Sequence, residues 1–268
     1  MKRKDEIKSD DKKDILIYWD QKAKELKELP EATMRDVNLR MLEIDLLLTH
    51  LREQDHVLDV GCGNGFATAI YSEKAKNVVG IDFSQEMVNQ AETVIEQNPQ
   101  IKNNLSFKQM DVLDLTFPDH VFDVVISERC LINLRSWEDQ RQAMLEIKRV
   151  LKSGGRFLMI EGTNEGLNGL NRIRESYGLH KIERHWHNLL LDDDKLMGFL
   201  ENNFKIDEIR SLGTYYFISR VVHPLMVLPE EPKFEAKINE VARKIAFDIP
   251  SFENLSINKL YVLLKGEI

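Results

Sequence analysis

The chain has 268 residues, 43% hydrophobic and 31% charged, with a formal net charge of −8, the profile of an ordinary soluble globular protein. The acidic balance votes against nucleic acid as a partner, and no apolar run reaches the roughly 18 residues a membrane helix needs. Two cysteines, Cys62 and Cys130, rule out a disulfide framework, and with an N-terminus that lacks an apolar stretch they point to a reducing cytoplasm.

In chain order, residues 1–13 are almost entirely charged and read as a disordered tail. Residues 14–52 read as two cap helices. The first spans 15–27, with Ile15, Tyr18, Trp19, Ala23 and Leu26 on one side. The second spans 33–51, with Met34, Val37, Met41, Ile44, Leu47, Leu48 and Leu51 at helical spacing. Arg35 and Arg40 fall near the polar face of the second helix, as solvated charges or as a carboxylate clamp. Strands then follow near 57–60, 77–81, 105–110, 122–127 and 155–161, with helices near 66–75, 85–97 and 138–151. Ser84 suits the N-cap of the helix after it. This alternation implies an α/β fold with a parallel sheet, helices on both faces and ligands at the C-terminal strand ends. A helix over 192–202, capped by Asp192 or Asp193, and strands at 204–209 and 258–264 complete a core spanning 53–268. Two stretches, 162–190 and 213–257, follow strand ends and are expected to hang over the site as pocket and lid.

The first strand runs into Asp59-Val60-Gly61-Cys62-Gly63-Asn64-Gly65-Phe66, and the second ends in Gly80-Ile81-Asp82. Glycines let a cofactor approach the backbone, and an acid about twenty residues on takes ribose hydroxyls. A dinucleotide fingerprint would need glycine at 66, where this chain has phenylalanine. Asp59 would repel a pyrophosphate but favour a cation. S-adenosylmethionine (SAM) has a sulfonium, an ammonium and a ribose and no phosphate, so the pattern fits SAM better than NAD.

Asp59 through Gly65, followed by Gly80-Ile81-Asp82-Phe83-Ser84, resembles the first two motifs of the class I SAM-dependent methyltransferases. Gln109-Met110-Asp111-Val112, Phe122 to Ser127 and Arg149 to Phe157 resemble three later segments in the same order, with Ser153 where proline is commoner. The resemblance implies a Rossmann-like, seven-stranded, mostly parallel sheet with an N-terminal helical cap and an inserted antiparallel last strand. It implies Asp82 for the ribose, Asp111 for the adenine and Gly61, Gly63 and Gly65 for the methionine part. Asp59, Phe83, Met87, Val112, Ser127 and Arg40 complete the expected cofactor set.

Methyl transfer needs an aligned nucleophile, and a base if the nucleophile is a hydroxyl. His187 and His185 flank Trp186 in the first insertion, and His223 lies in the second. His187 and His223 are candidate bases. Glu128 directly follows the fourth strand and is a further catalytic candidate, as is Glu161 at the end of the fifth. Arg129, His185, Trp186, Tyr215 and Arg220 are candidates for holding an anionic acceptor; Arg172, Arg174, Arg184, Tyr177 and Tyr216 share the same basic and aromatic insertions. Ile126 to Leu134 and Tyr215 to Arg220 also resemble methyltransferases of surface-polysaccharide and sugar-nucleotide pathways. That suggests O-methylation of a sugar or another small anionic metabolite, without a metal. N-methylation of a small amine, a nicotinamide-dependent dehydrogenase, a non-catalytic SAM-binding protein and a homodimeric state are all compatible with the same residues.

Overall fold

The computed structural model describes residues 11–101 and 103–266. Most of the charged tail, residues 1–10, lies outside the described residues. Residues 11–13 are not tail but the opening turn of α1 (Asp11–Leu26). A 3-10 turn at Pro30–Ala32 leads into α2 (Val37–Leu48), where Asp36 caps the helix by accepting from the Leu39 amide at 3.1 Å. The cap explains why α2 starts later than its apolar spacing alone suggests.

The alternating core follows as β1 (His56–Val60), α3 (Phe66–Ser72), β2 (Asn77–Asp82), α4 (Gln85–Gln97), β3 (Leu105–Gln109), β4 (Phe122–Glu128), α5 (Trp137–Val150) and β5 (Leu151–Gly162). Ser84 and Ser136 cap α4 and α5 through their hydroxyls. After β5 come α6 (Asn164–Ser176), α7 (Asp193–Asn203), β6 (Lys205–Ser211), α8 (Gly213–Phe217), α9 (His223–Val227), α10 (Lys237–Ile245) and β7 (Asn258–Leu264). Asp192 is the cap of α7. A π turn over Ile218–Val222 joins α8 to α9.

The seven strands form one sheet in the order β3-β2-β1-β4-β5-β7-β6, with β7 antiparallel to both its neighbours and the other pairings parallel. Both sheet faces are packed, one around Leu42, Leu46, Ile126 and Leu158, the other around Leu58, Val125, Met144 and Phe157. The central strands must therefore be apolar on both sides, which is why they read as continuous runs rather than alternating ones. The chain order reverses between β1 and β4, so a crevice opens at their C-terminal ends. Among the described residues no helix is long and apolar enough to cross a membrane.

The first insertion is helical over Asn164–Ser176 and irregular after it, and the second is built largely of short helices. Gly166 and Gly169 on α6 and Gly213 on α8 lie so close to the carbonyls of Ser256, Asn254 and Phe252 that any Cβ would collide with them. These glycines let both helices sit directly on the 252–256 backbone, a packing reason that periodicity does not reveal.

Candidate cofactor and acceptor site

A cavity of about 1530 Å³ occupies the crevice. The turn after β1 makes its floor. Gly61, Gly63 and Gly65 all have left-handed backbone, with φ of 71°, 55° and 77°. The Gly61 and Cys62 amides both donate to the Ile81 carbonyl, folding the turn onto the end of β2. The Gly63 amide donates to Asp82 at 2.9 Å, and so does the Ser84 amide. A Cβ on Gly63 would come within 2.6 Å of the Thr33 side chain. Gly65 does not face the cavity; it starts α3 and packs against Phe107 and Ala91.

Among the acids that line this space, Asp59, Asp82 and Asp111 lie at or beside the ends of the first three strands. Asp59 is buried and accepts from the Thr68 hydroxyl at 2.6 Å. Burial pushes its carboxyl up to about 7, with a further push from Glu128 and opposition from Thr68 and Arg40. Burial likewise raises Asp82 to about 6, against the hydrogen bonds from Ser84 and Gly63. Asp111 is half-exposed, accepts from the Leu113 amide and pairs with Lys12 at 2.6 Å. Phe83, Met87 and Val112 line the cavity beside these acids as expected.

Helix α1 lies across the opening. Asp20 accepts from the Ser84 hydroxyl at 2.6 Å, and Asn64 donates to the carbonyls of Lys27 and Leu29. Tyr18 and Trp19 pack their rings on His187, with centroids 4.6 and 5.4 Å away. The Trp19 indole N–H donates to Asn133. Lys12, Trp19, Thr33, Asp36, Asn133 and Phe234 all line the cavity without having stood out in the sequence. Asp36 could have been found as an N-cap; for Lys12, in a run of charges, there was no signal.

The wall beyond the acids is a buried charged cluster. Arg40 is only 4% exposed, so it is not a solvated surface charge. It pairs with Glu128 at 3.2 Å, and its Nε is buried without a partner. Arg129 bridges Glu43 and Glu128, and Tyr71 donates to Glu128 at 3.2 Å. Burial raises the Glu128 carboxyl, but Arg40 and Arg129 outweigh it and hold Glu128 below the usual carboxylate range. Glu128 therefore serves as a counterion here and makes a poor base. Arg129 has φ of 56°, a strained left-handed backbone uncommon outside glycine.

His187 and His185 line the cavity. His187 is buried with its Nδ1 unpartnered. Burial, with His185 nearby, depresses its pKa to about 4, so the ring is neutral at pH 7. Other candidates fall elsewhere. His223 is buried at the start of α9 outside the cavity lining. Trp186 is 57% exposed and packs its edge on His187 from outside. Tyr215 is buried and donates to Asp36 at 2.7 Å, which also pairs with Arg220. Arg220 itself lines the cavity, as does Arg129, whereas Arg172, Arg174, Arg184, Tyr177 and Tyr216 do not. Ser127 and Glu161 are turned away from the cavity and bond to each other at 2.6 Å. For Ser127 the cause is alternation: a strand's successive residues take opposite faces, and Glu128, not Ser127, lines the crevice.

Carboxylates at the glycine turn would repel a pyrophosphate but complement an ammonium, a sulfonium and ribose hydroxyls. Residues 58–159 match a family described as the methyltransferase domain. An uncharacterized methyltransferase of Bacillus subtilis, YcgJ, is 32% identical over 131 residues, 46% of this chain and 50% of that protein. A demethylmenaquinone methyltransferase of Symbiobacterium thermophilum is 34% identical over 118 residues, 43% and 45% of the two chains. The chain thus spans about half the length of the curated relatives it matches. The crystal structure of B. subtilis YcgJ shares the fold with a TM-score of 0.53 at 20% identity, covering 84% of this chain and 99% of that one. A Haloferax volcanii putative methyltransferase, in complex with the Trm112 methyltransferase activator, gives 0.63 at 19% identity, covering 93% and 98%.

The seven-stranded sheet is the fold that these methyltransferase structures share. Residues 58–159 are thus similar to a methyltransferase domain, and SAM is the cofactor bound in one of the solved methyltransferases of this fold, geranyl diphosphate methyltransferase.

Proposed function

We propose that the protein transfers a methyl group from SAM to an oxygen of a small anionic acceptor, a sugar or a comparable metabolite. The observation that carries this reading is His187: a buried, neutral imidazole, its Nδ1 without a hydrogen-bond partner, on a residue that lines the same cavity as Asp59, Asp82 and Asp111. When bound, SAM supplies an electrophilic methyl group on a sulfonium. Asp59 and the Gly61–Gly63 backbone would hold its methionine end, Asp82 the ribose and Asp111 the adenine.

The chain's own contribution is then to place an acceptor and take its proton. Arg129 and Arg220 each spend part of their five donors on internal carboxylates and have others to offer an anion. Tyr18, Trp19 and Phe234 give flat apolar surface for a ring or for sugar C–H groups. A pKa near 4 alone makes His187 a weak base. An acceptor anion held beside the ring would raise that pKa again, so base strength would follow correct acceptor binding. Helix α1 and the two insertions act as the cover that keeps water from this chamber.

The test is a panel of sugar acids, sugar phosphates, phenolic acids and small amines, each incubated with methyl-labelled SAM and read by S-adenosylhomocysteine release and product NMR. A methyl ether or ester product, with turnover lost in His187→Gln at unchanged SAM affinity, supports the reading. A methyl on nitrogen or carbon, or full turnover in His187→Gln, overturns it.

A further inference from the structure

Glu161 ends β5, is fully buried and lines no part of the cavity, yet it is the most heavily bonded carboxylate of the domain. One oxygen accepts from the Ser127 hydroxyl at 2.6 Å and from the amides of Cys130 and Leu131 at 3.0 and 2.9 Å. The other accepts from the Ile132 amide at 3.2 Å. Three successive backbone N–H groups thus converge on one internal anion. Such a nest is the arrangement that elsewhere binds a phosphate or sulfate; here the protein fills it with its own side chain.

The nest is the turn that leaves β4, and that turn carries the cavity wall: Glu128, Arg129, Ile132 and Asn133. Its carbonyls face the opposite way and hold a second segment. The Leu189 amide donates to the Ile132 carbonyl at 2.6 Å. The Gln140 side-chain amide bridges the carbonyls of Leu131 and Leu189, at 3.2 and 2.8 Å. Residues 185–188, which bring His185, His187 and Asn188 to the cavity, are therefore tied through Leu189 to the same three peptides that Glu161 holds.

We infer that Glu161 is a positioning residue for the acceptor half of the site: by anchoring peptides 130–132 it sets both the Glu128–Asn133 turn and the His185–Asn188 segment. The inference rests on the proposed assignment of that wall to the acceptor, but the hydrogen-bond relay is independent of it. A carboxylate satisfies all three amides and the hydroxyl at once, because it only accepts. The amide of glutamine carries two N–H donors, so one of the three amides must lose its acceptor or face another donor. Burial raises Glu161 to about 7, and the hydrogen bonds from Ser127 and the three amides oppose that rise. Arg129 adds its own constraint to the turn, since its amide donates to the Ile160 carbonyl at 2.8 Å while its backbone sits in the left-handed region.

The test uses Glu161→Gln and Gln140→Leu in the full chain, read by hydrogen exchange and by calorimetric titration with SAM, so no acceptor needs to be known. In Glu161→Gln, amide exchange in 130–132 and in 187–190 should rise together, by at least tenfold, while SAM affinity stays within threefold and exchange in β1 and β2 is unchanged. Gln140→Leu, which cuts only the second link, should raise exchange in 187–190 and spare 130–132. Faster exchange confined to 130–132 in Glu161→Gln would break the relay and overturn the inference. So would a parallel loss of SAM affinity and of protection throughout the sheet, which marks a merely structural residue. Should Glu161→Gln fail to fold, Gln140→Leu decides: unchanged exchange in 187–190 overturns the relay. Failure of the O-methylation reading would appear separately, in the acceptor panel, and leave these results untouched.

Discussion

Lowering the pH from 8 to 6 should weaken SAM binding by about twentyfold, and Asp59 is the reason for about tenfold of it. Its carboxyl is raised to about 7, chiefly by burial. A cationic ligand beside it requires the charged form, so binding must first remove the proton from whichever fraction carries it. The apparent affinity is then divided by 1 + 10^(pKa − pH), which is about 1.1 at pH 8, about 2 at pH 7 and about 11 at pH 6. The pH 6 penalty is roughly 1.4 kcal/mol. Asp82, raised to about 6, adds about another factor of two at pH 6. Calorimetry in two buffers of different ionisation enthalpy reads the same event directly: at pH 7, roughly half a proton should leave per SAM bound. Asp59→Asn should bind more weakly at pH 8 and lose most of the pH slope. An affinity that stays flat between pH 6 and 8, or a full slope retained in Asp59→Asn, would refute the placement of Asp59 against the cationic end of the cofactor.

Three other outcomes follow from the same geometry. Without ligand the protein should become more stable as pH falls from 8 to 6.5. The folded pKa values of Asp59 and Glu161 are raised to about 7, far above their unfolded values, so the folded state binds more protons in that window; a thermal melt at each pH checks the sign. Gly63→Ala should cost about 1–3 kcal/mol of stability, measured by urea unfolding, and at least tenfold in SAM affinity, because φ is 55° and the new Cβ meets Thr33 at 2.6 Å. His187→Gln should reduce turnover by about 10²–10⁴-fold at unchanged SAM affinity, while His223→Gln, outside the cavity, should leave turnover within about threefold.

That Asp59, Gly61, Gly63, Asp82 and Asp111 share one cavity was legible in the chain because the arrangement is local. Asp59 to Gly65 is one strand–turn–helix, and Asp82 and Asp111 each end or follow a neighbouring strand. Three adjacent parallel strands bring such residues together with no further information. Gly65 and Ser127 were misassigned because a motif marks a segment, not the face each side chain takes. The acceptor half was less legible because it is assembled over long separations. Arg40 meets Glu128 across 88 residues, and Tyr215 meets Asp36 across 179. His187 and His223 look equivalent in the chain, and only the packing of α1 against the 185–188 segment separates them. Glu161 resembled a catalytic base for the same reason that it cannot touch the acceptor: a carboxylate at a strand end may face the crevice or the interior, and here Ser127 and three amides draw it inward.

The most direct test is calorimetric titration of the purified protein with SAM and S-adenosylhomocysteine, with NAD as the control and Asp82→Ala alongside. Micromolar binding of both adenosyl compounds, lost in Asp82→Ala and absent for NAD, is the expected result. Binding of NAD alone would contradict the assignment and make the glycine turn a variant dinucleotide site.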